Sequence, residues 1–400
     1  MNKGQEKSLR KLDFETVTVR EGKAEIIVPK PDYYRVSPNE YVPSKAPVFY
    51  NPLMKENRDL TIAVASIMRK EIGRKLVFGD SMAGVGVRSI RVLLEAGWDE
   101  AYLNDNSERA FASMVLNLEK NSLVGKAHPS KIDANLFHAE HSSTGTRFDM
   151  LDIDPFGTPI RFLDTGVRAV KHGALISITA TDTANLFGVQ RRAAKILYGV
   201  NVLKTGFMRE VGIRVLLKAL GEAAARSERG IEPIISVASR HYVKIIARVL
   251  KGRKHAFQTA SKINFLKLRK ANGIYEPMGP IDPSEARVDD SCILIGPLYV
   301  GKVFSKNWVE KIAVERVEKN WLDEKISKIT NSLLSDDQET IGGFDLVGLA
   351  SSLRIAPPSI RIIIDKLLEK GFQACRSGFD ANCIKTDAKL DDLIKVVKSL

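Results

Sequence analysis

Between residues 61 and 179, short apolar segments alternate with amphipathic ones, and this alternation limits the fold more than any other feature. The spacing predicts helices over 61–71, 87–96, 108–123 and 160–170. Between and after them it predicts strands over 75–79, 100–103, 148–153 and 174–179, with a weak strand ending near residue 133. Strands separated by helices pair in parallel, so this half of the chain reads as an open α/β sheet. The stretch before Pro52 is rich in proline and aromatics and reads as short strands and loops. Residues 233–239 and 242–250 read as a hairpin of two longer strands. Gly/Pro-rich turns around 275–284 mark a boundary, so a domain over 1–280 and a smaller one over 281–400 are expected. The second is expected to open with a helix over 308–332. It then continues as helix-turn-helix and wing strands, a winged-helix-like module over about 340–390.

Charge separates these regions. The 400 residues include 61 Lys/Arg and 48 Asp/Glu, a formal net charge of +13. Residues 191–275 hold 19 basic and four acidic side chains, whereas residues 331–400 come to −1. A field concentrated in one segment calls for a polyanion, with nucleic acid as the first candidate. Arg191, Arg192, Lys251, Arg253 and Lys254 are its candidate phosphate contacts, the alternative being a solvated charged face. Three cysteines do not make a disulfide framework. The first residues lack a signal-like apolar core, and no apolar run reaches about 18 residues. The expectation is a reduced, cytoplasmic protein without membrane or obligate protein partner.

The candidate chemistry lies at the carboxyl ends of the predicted parallel strands, where such sheets open a ligand crevice. Asp80-Ser-Met-Ala-Gly84-Val-Gly86 joins strand to helix through a glycine turn, although Met82 stands where an early glycine often occurs. The turn alone admits either nucleotide binding or a plain tight turn. Asp105, 19 residues beyond Gly86, favours the former, because an acid at that distance grips a ribose hydroxyl pair. Asp133 and Ala134 follow the next strand, where an adenine amine could donate. Asp152-Ile-Asp154-Pro-Phe-Gly157-Thr-Pro159 ends the strand after that. As an N-cap and turn it explains Gly157 and Pro159, but not an aromatic directly after Asp-Pro. Carboxylate, backbone carbonyl and flat ring together suit a planar base bearing an exocyclic amine. His138 and His141 read as a solvated pair in a polar loop.

That corner beside a glycine turn resembles the amino-group methyltransferases that use S-adenosylmethionine. The closer resemblance is to the tRNA (guanine-26, N2) dimethyltransferase family, through Pro47-Val-Phe-Tyr-Asn-Pro52, Asn57-Arg58-Asp59, Gly84-Val-Gly86-Val-Arg88, Leu103-Asn-Asp105, Asp133-Ala-Asn135, Asp154-Pro-Phe-Gly157 and Thr179-Ala-Thr-Asp182. These segments occur in the family's order over residues 23–300. The resemblance implies a Rossmann-like class I methyltransferase sheet with a smaller C-terminal α+β domain ending in the winged-helix-like module. It also implies S-adenosyl-L-methionine as cofactor, tRNA as partner and a place in tRNA processing. Arg58 and Arg88 would hold the methionine carboxylate end, unless they are surface ion-pair residues. Gly84 and Gly86 would form the turn, Asp105 would take the ribose, and Asp133 with Ala134 the adenine. Asp154 would be the catalytic carboxylate, with Pro155 and Phe156 facing the base. The chain departs from the family where many members carry a cysteine cluster: Cys292 stands alone, and Cys375 and Cys383 have seven residues between them, so no metal is expected. Residues 183–188 match the family's loop only loosely. Alternatives are a DNA adenine-amine or rRNA guanine-N2 methyltransferase, or a non-enzymatic winged-helix nucleic-acid-binding regulator.

Overall fold

The computed structural model describes residues 12–37, 40–143, 145–271, 273–282 and 292–400. They form two compact units that interleave along the chain. The first takes the described residues up to Pro155, then Asp164–Ile178 and Lys311–Ile326; the second takes Phe156–Leu163, Thr179–Glu310 and Ser327–Leu400.

The first unit opens with the antiparallel pair β1 (Thr16–Glu21) and β2 (Ala24–Pro29), followed by the two-stranded β3 (Arg35–Ser37) and β4 (Glu40–Tyr41). Helix α1 spans Lys55–Glu71, six residues earlier than expected. Pro52 opens the 3-10 turn ahead of it, and the Asn51 side chain caps that turn by accepting from Leu53 N–H at 3.0 Å. Then come β5 (Val77–Asp80), α2 (Val87–Glu95), β6 (Glu100–Asn104), α3 (Glu108–Lys120), β7 (Ala127–Ser130), α4 (Ala134–Ser143), β8 (Phe148–Ile153), α5 (Ile160–Ala169) and β9 (Val170–Ala180). The strands pair in parallel in the order β9-β8-β5-β6-β7. Sequence order therefore reverses between β5 and β8, which puts a topological switch point at the ends carrying Asp80 and Asp152. β8 is buried at every position, as a strand covered on both faces must be.

In the second unit α6 (Thr183–Leu186), α7 (Arg191–Tyr198) and α8 (Met208–Arg226) precede the expected hairpin, β10 (Arg229–Ala238) with β11 (Val243–Lys251). Helix α9 (Arg253–Ala260) leads into β12 (Ile263–Ala271), β13 (Ile274–Ile281) and β14 (Cys292–Tyr299), ordered β13-β12-β14. Residues expected as Gly/Pro turns thus form strand β13. Pro277, Gly279 and Pro280 are tolerated there because β13 is an edge strand, and its register shifts between Lys267 and Leu268 of β12.

The predicted single helix over 308–332 is two, α10 (Lys306–Glu318) and α11 (Lys325–Ser335). No glycine or proline breaks it. Instead Trp321 Nε1–H donates to Glu95 Oε2 at 2.8 Å and Asp323 N–H to Asp59 Oδ2 at 2.7 Å, so buried acids of the first unit stop the helix. The expected helix-turn-helix and wing strands are present as α12 (Leu346–Leu353), α13 (Ile360–Glu369), β16 (Ala374–Arg376) and β17 (Cys383–Thr386); β15 (Phe344–Asp345) and α14 (Leu390–Lys398) add to them, with strand order β15-β17-β16. Its core holds Leu349, Ile363, Leu367, Ile384, Leu390 and Leu393. Buried Lys385 bonds Glu210 of α8 and Asp336 at 3.1 Å each, fastening the module within its unit.

Candidate active site

The glycine turn forms as its residues require. Gly84 and Gly86 have φ of +55° and +80°, the left-handed region that glycine enters without a Cβ penalty. A Cβ on Gly84 would also lie 2.9 Å from the Phe49 carbonyl oxygen, so the backbone approaches too closely for any side chain. Ala83 N–H donates to Asn104 O at 2.8 Å, tying the turn to the end of β6. Helix α2 starts directly after Gly86 without a side-chain cap. Its N-terminal N–H groups therefore face the switch point, the usual setting for an anionic or nucleotide ligand.

Asp105 braces this cradle. Its Oδ2 accepts Gly84 N–H and its Oδ1 accepts Ser107 N–H, each at 3.0 Å. Burial raises its carboxyl above the usual range, with these two N–H groups acting in opposition. Asp133 is exposed and caps α4 through Asn135 N–H at 2.8 Å, while Ala134 behind it is buried. Both acids thus stand at the carboxyl ends of β6 and β7, as a sugar and a base lying along this sheet edge would need.

Arg88 organises the corner at Asp154. It is 6% exposed, with Nε 3.0 Å from Asp152 Oδ2 and Nη2 on Asp154 Oδ2. Its Nη1 donates to Asn57 Oδ1 and Thr61 Oγ1, both at 3.0 Å. The Asp154 side chain keeps about a fifth of its surface exposed, Pro155 is buried, and Phe156 is 68% exposed. Asp80 nearby is pushed above the usual carboxylate range by burial and then by the charge of Asp152.

Arg58 is 4% exposed and grips Glu21 through Nε at 2.7 Å and Nη2 at 2.5 Å, with Asn51 O at 3.1 Å. Neither arginine is a surface ion-pair residue; both are buried. Glu21 also receives Arg91 Nη1 at 2.9 Å and the Tyr50 hydroxyl at 3.0 Å, and Arg91 continues to Asp59 and Glu95. Burial alone would raise the Glu21 carboxyl, but Arg58 and Arg91 hold it down at about 2. Sequence reasoning missed this lattice. The only local signal was Asn57-Arg58-Asp59 in a helix with no exposed face there.

The histidines correct another expectation. His138 and His141 lie on α4, not in a loop, and His138 is fully buried. Thr165 Oγ1 donates to Asn135 Oδ1 at 2.7 Å, so it accepts from His138 Nδ1–H at 2.9 Å. His138 Nε2 then accepts from the Ser81 hydroxyl at 2.7 Å. Burial lowers its pKa to about 3, leaving a neutral ring beneath the glycine turn. His141 packs against Tyr102, Phe137 and Phe148. Among the described residues no group of three or more His, Cys, Asp or Glu could hold a metal ion, and no helix is long and apolar enough to cross a membrane.

In the second unit Arg191, Arg192, Lys251, Arg253 and Lys254 are all exposed. Arg191 and Arg192 begin α7, Arg253 and Lys254 begin α9, and Lys251 closes β11.

The sequence profile of the N2,N2-dimethylguanosine tRNA methyltransferase family matches residues 22–398. The tRNA (guanine(26)-N(2))-dimethyltransferase of Thermococcus kodakarensis is 30% identical over 402 residues, covering 97% of this chain and 100% of that protein. The enzyme of the same name from Methanothermobacter thermautotrophicus is 30% identical over 396 residues, covering 96% and 99%. Among solved structures, Trm1 from Pyrococcus horikoshii in complex with S-adenosyl-L-methionine superposes with a TM-score of 0.81 at 27% identity, over 95% of this chain and 99% of that one. With the profile spanning nearly its whole length, the chain belongs to the N2,N2-dimethylguanosine tRNA methyltransferase family.

Proposed function

We propose that this protein transfers methyl groups from S-adenosyl-L-methionine to the exocyclic 2-amino group of guanine 26 in tRNA, first one and then a second. The observation that carries this reading is the Asp154-Pro-Phe-Gly corner at the switch point, held by Arg88 beside a glycine cradle. S-adenosyl-L-methionine supplies an electrophilic methyl group when bound. Gly84 and Gly86 form its cradle, Asp105 takes the ribose, and Asp133 with Ala134 takes the adenine. Arg58 and Arg88 set positive charge at the methionine carboxylate end, Arg58 from a fixed position on Glu21.

The target base leaves its stack to reach the corner. Phe156 gives it a ring to stack on, worth about 1–3 kcal/mol per base, and Pro155 shapes the wall beneath. Asp154 accepts from the amine, aligns it for in-line attack, and receives a proton as the new bond forms. Arg88 Nη2 holds Asp154 Oδ2 and so fixes how the carboxylate is turned.

The tRNA is held by the basic segment of the second unit. Helices α7 and α9 both begin with paired basic residues and have no acid in the first turn. Cations at a helix N-terminus oppose the macrodipole, so helix stability does not explain them. A phosphate placed there satisfies both the dipole and the side chains. The reaction is placed in the cytoplasm, where tRNA is processed.

The test is nucleoside mass spectrometry of tRNA after reaction, using transcripts with guanine or adenosine at position 26, alongside rRNA and DNA. Mono- and dimethylguanosine in the guanine-26 transcript alone is the expected result. Incorporation into DNA or rRNA instead, or into nothing, would overturn the reading.

A further inference from the structure

The segment that follows Asp154 is held at two successive residues. Gly157 N–H donates to Thr181 Oγ1 at 2.8 Å, and Thr181 N–H returns to Gly157 O at 2.9 Å. One residue on, the Thr158 hydroxyl donates to Tyr198 Oη at 3.0 Å while its oxygen accepts Ile160 N–H at the start of α5. The Tyr198 hydroxyl in turn donates to the Asp182 carboxylate, 2.9 Å from Oδ1 and 3.0 Å from Oδ2. Asn185 Nδ2–H holds the same carboxylate at 2.9 Å.

Tyr198 is itself immobilised. It is the last residue of α7 and 3% exposed, and Gly199 ends the helix in the left-handed region at φ +65°. Buried Lys218 of α8 donates to the Tyr198 carbonyl at 2.9 Å. Burial and the Asp182 charge hold the phenol well above its usual pKa, so it remains a donor at any working pH.

We propose that the Tyr198 hydroxyl, bridging Thr158 and Asp182, is a positioning element that fixes Phe156–Thr158 and so decides where the Phe156 ring meets the flipped base. This rests on the reading of Asp154 and Phe156 given above. A single oxygen that accepts from one segment and donates to another leaves little freedom, because Tyr198 is buried and water does not readily replace a lost partner there. Phe156 directly precedes the two residues held in this way, so the course of its backbone follows from the bonds made by Gly157 and Thr158.

Tyr198→Phe removes the bridge and keeps the ring. On a tRNA transcript with saturating S-adenosyl-L-methionine, it should slow single-turnover methylation about ten- to a hundredfold, the scale of a misplaced reacting group. Cofactor affinity should not change. Amides 157 and 181 should exchange hydrogen at least about tenfold faster than in wild type. Asp182→Ala should match it, the double variant should be no slower than either, and Asp182→Asn, whose amide oxygen still accepts, should restore most of the rate. Thr158→Val tests the other end and should reproduce the rate loss even if Tyr198→Phe folds poorly. Wild-type rates and unchanged exchange in these variants would overturn the proposal, as would additive losses in the double variant. If the wild-type protein fails to methylate tRNA, the proposed function falls, and the exchange of amides 157 and 181 alone decides the bridge.

Discussion

The arginines of the first unit and the basic residues of the second carry the same charge and do opposite work. Arg58, Arg88 and Arg91 are all less than a tenth exposed and each is paired with carboxylates there, whereas Arg191, Arg192, Lys251, Arg253 and Lys254 are exposed, with Arg253 Nε 2.9 Å from the equally exposed Glu228 carboxylate. Buried cations are expensive to desolvate and hold only where partners are placed to receive them, so they set geometry. Exposed cations cost little to keep and act through a field that salt weakens, so they set affinity. Substitutions in the two groups should therefore fail differently.

The largest effect is expected from Arg91→Ala, which would leave Glu21, Asp59 and Glu95 buried around a missing cation. A loss of about 3–5 kcal/mol in urea unfolding is expected, because the surviving charges lose their compensation. A change below about 1 kcal/mol would show that this lattice is not what stabilises the first unit.

The same lattice predicts how stability responds to acid. The Glu21 pKa in the folded protein, about 2, lies below its ordinary 4.5, so its contribution is complete above 4.5 and lost as pH falls through about 2. The difference corresponds to about 3 kcal/mol. Unfolding free energies measured between pH 5 and 2 should fall more steeply in wild type than in Glu21→Gln. Equal slopes would remove Glu21 from the acid response.

At the proposed catalytic corner Asp154→Ala should cut single-turnover methylation at least about 10²-fold while tRNA affinity stays near wild type. Arg88 keeps Asp152, Asn57 and Thr61 in that variant, so most of its support survives. Near wild-type turnover in a folded Asp154→Ala protein would take Asp154 out of the chemistry.

The smallest effect should come from the exposed group. Arg191→Glu with Arg192→Glu should weaken all tRNAs about equally, by roughly tenfold at moderate salt, and flatten the dependence of affinity on salt. Melting temperature should hardly move. Loss of stability without loss of affinity would assign these residues to the fold and not to RNA.

How much was legible follows from the range of each interaction. Strand β8 was predicted to the residue, and β5, β6, α2 and α3 to within three residues at each end, because apolar period and turn residues act over a few positions. The Asp-Pro-Phe-Gly corner was legible for the same reason, its members being adjacent. Local pattern misjudged β13, where proline and glycine suggested turns and only the edge position of the strand makes them acceptable.

The amino-acid sequence alone determined the parallel α/β order, the glycine turn, the acids at successive strand ends and the segment that carries the positive field. Tertiary structure alone decided which charges are buried together. Glu21 meets Arg58 across 37 residues and Arg91 across 70, and Arg91 with Glu95 has the spacing of an ordinary exposed helix pair. His138 likewise looked solvated until Ser81, 57 residues away, closed over it. Burial depends on which surfaces the fold brings face to face, and the pattern along a single helix or loop does not record its neighbours.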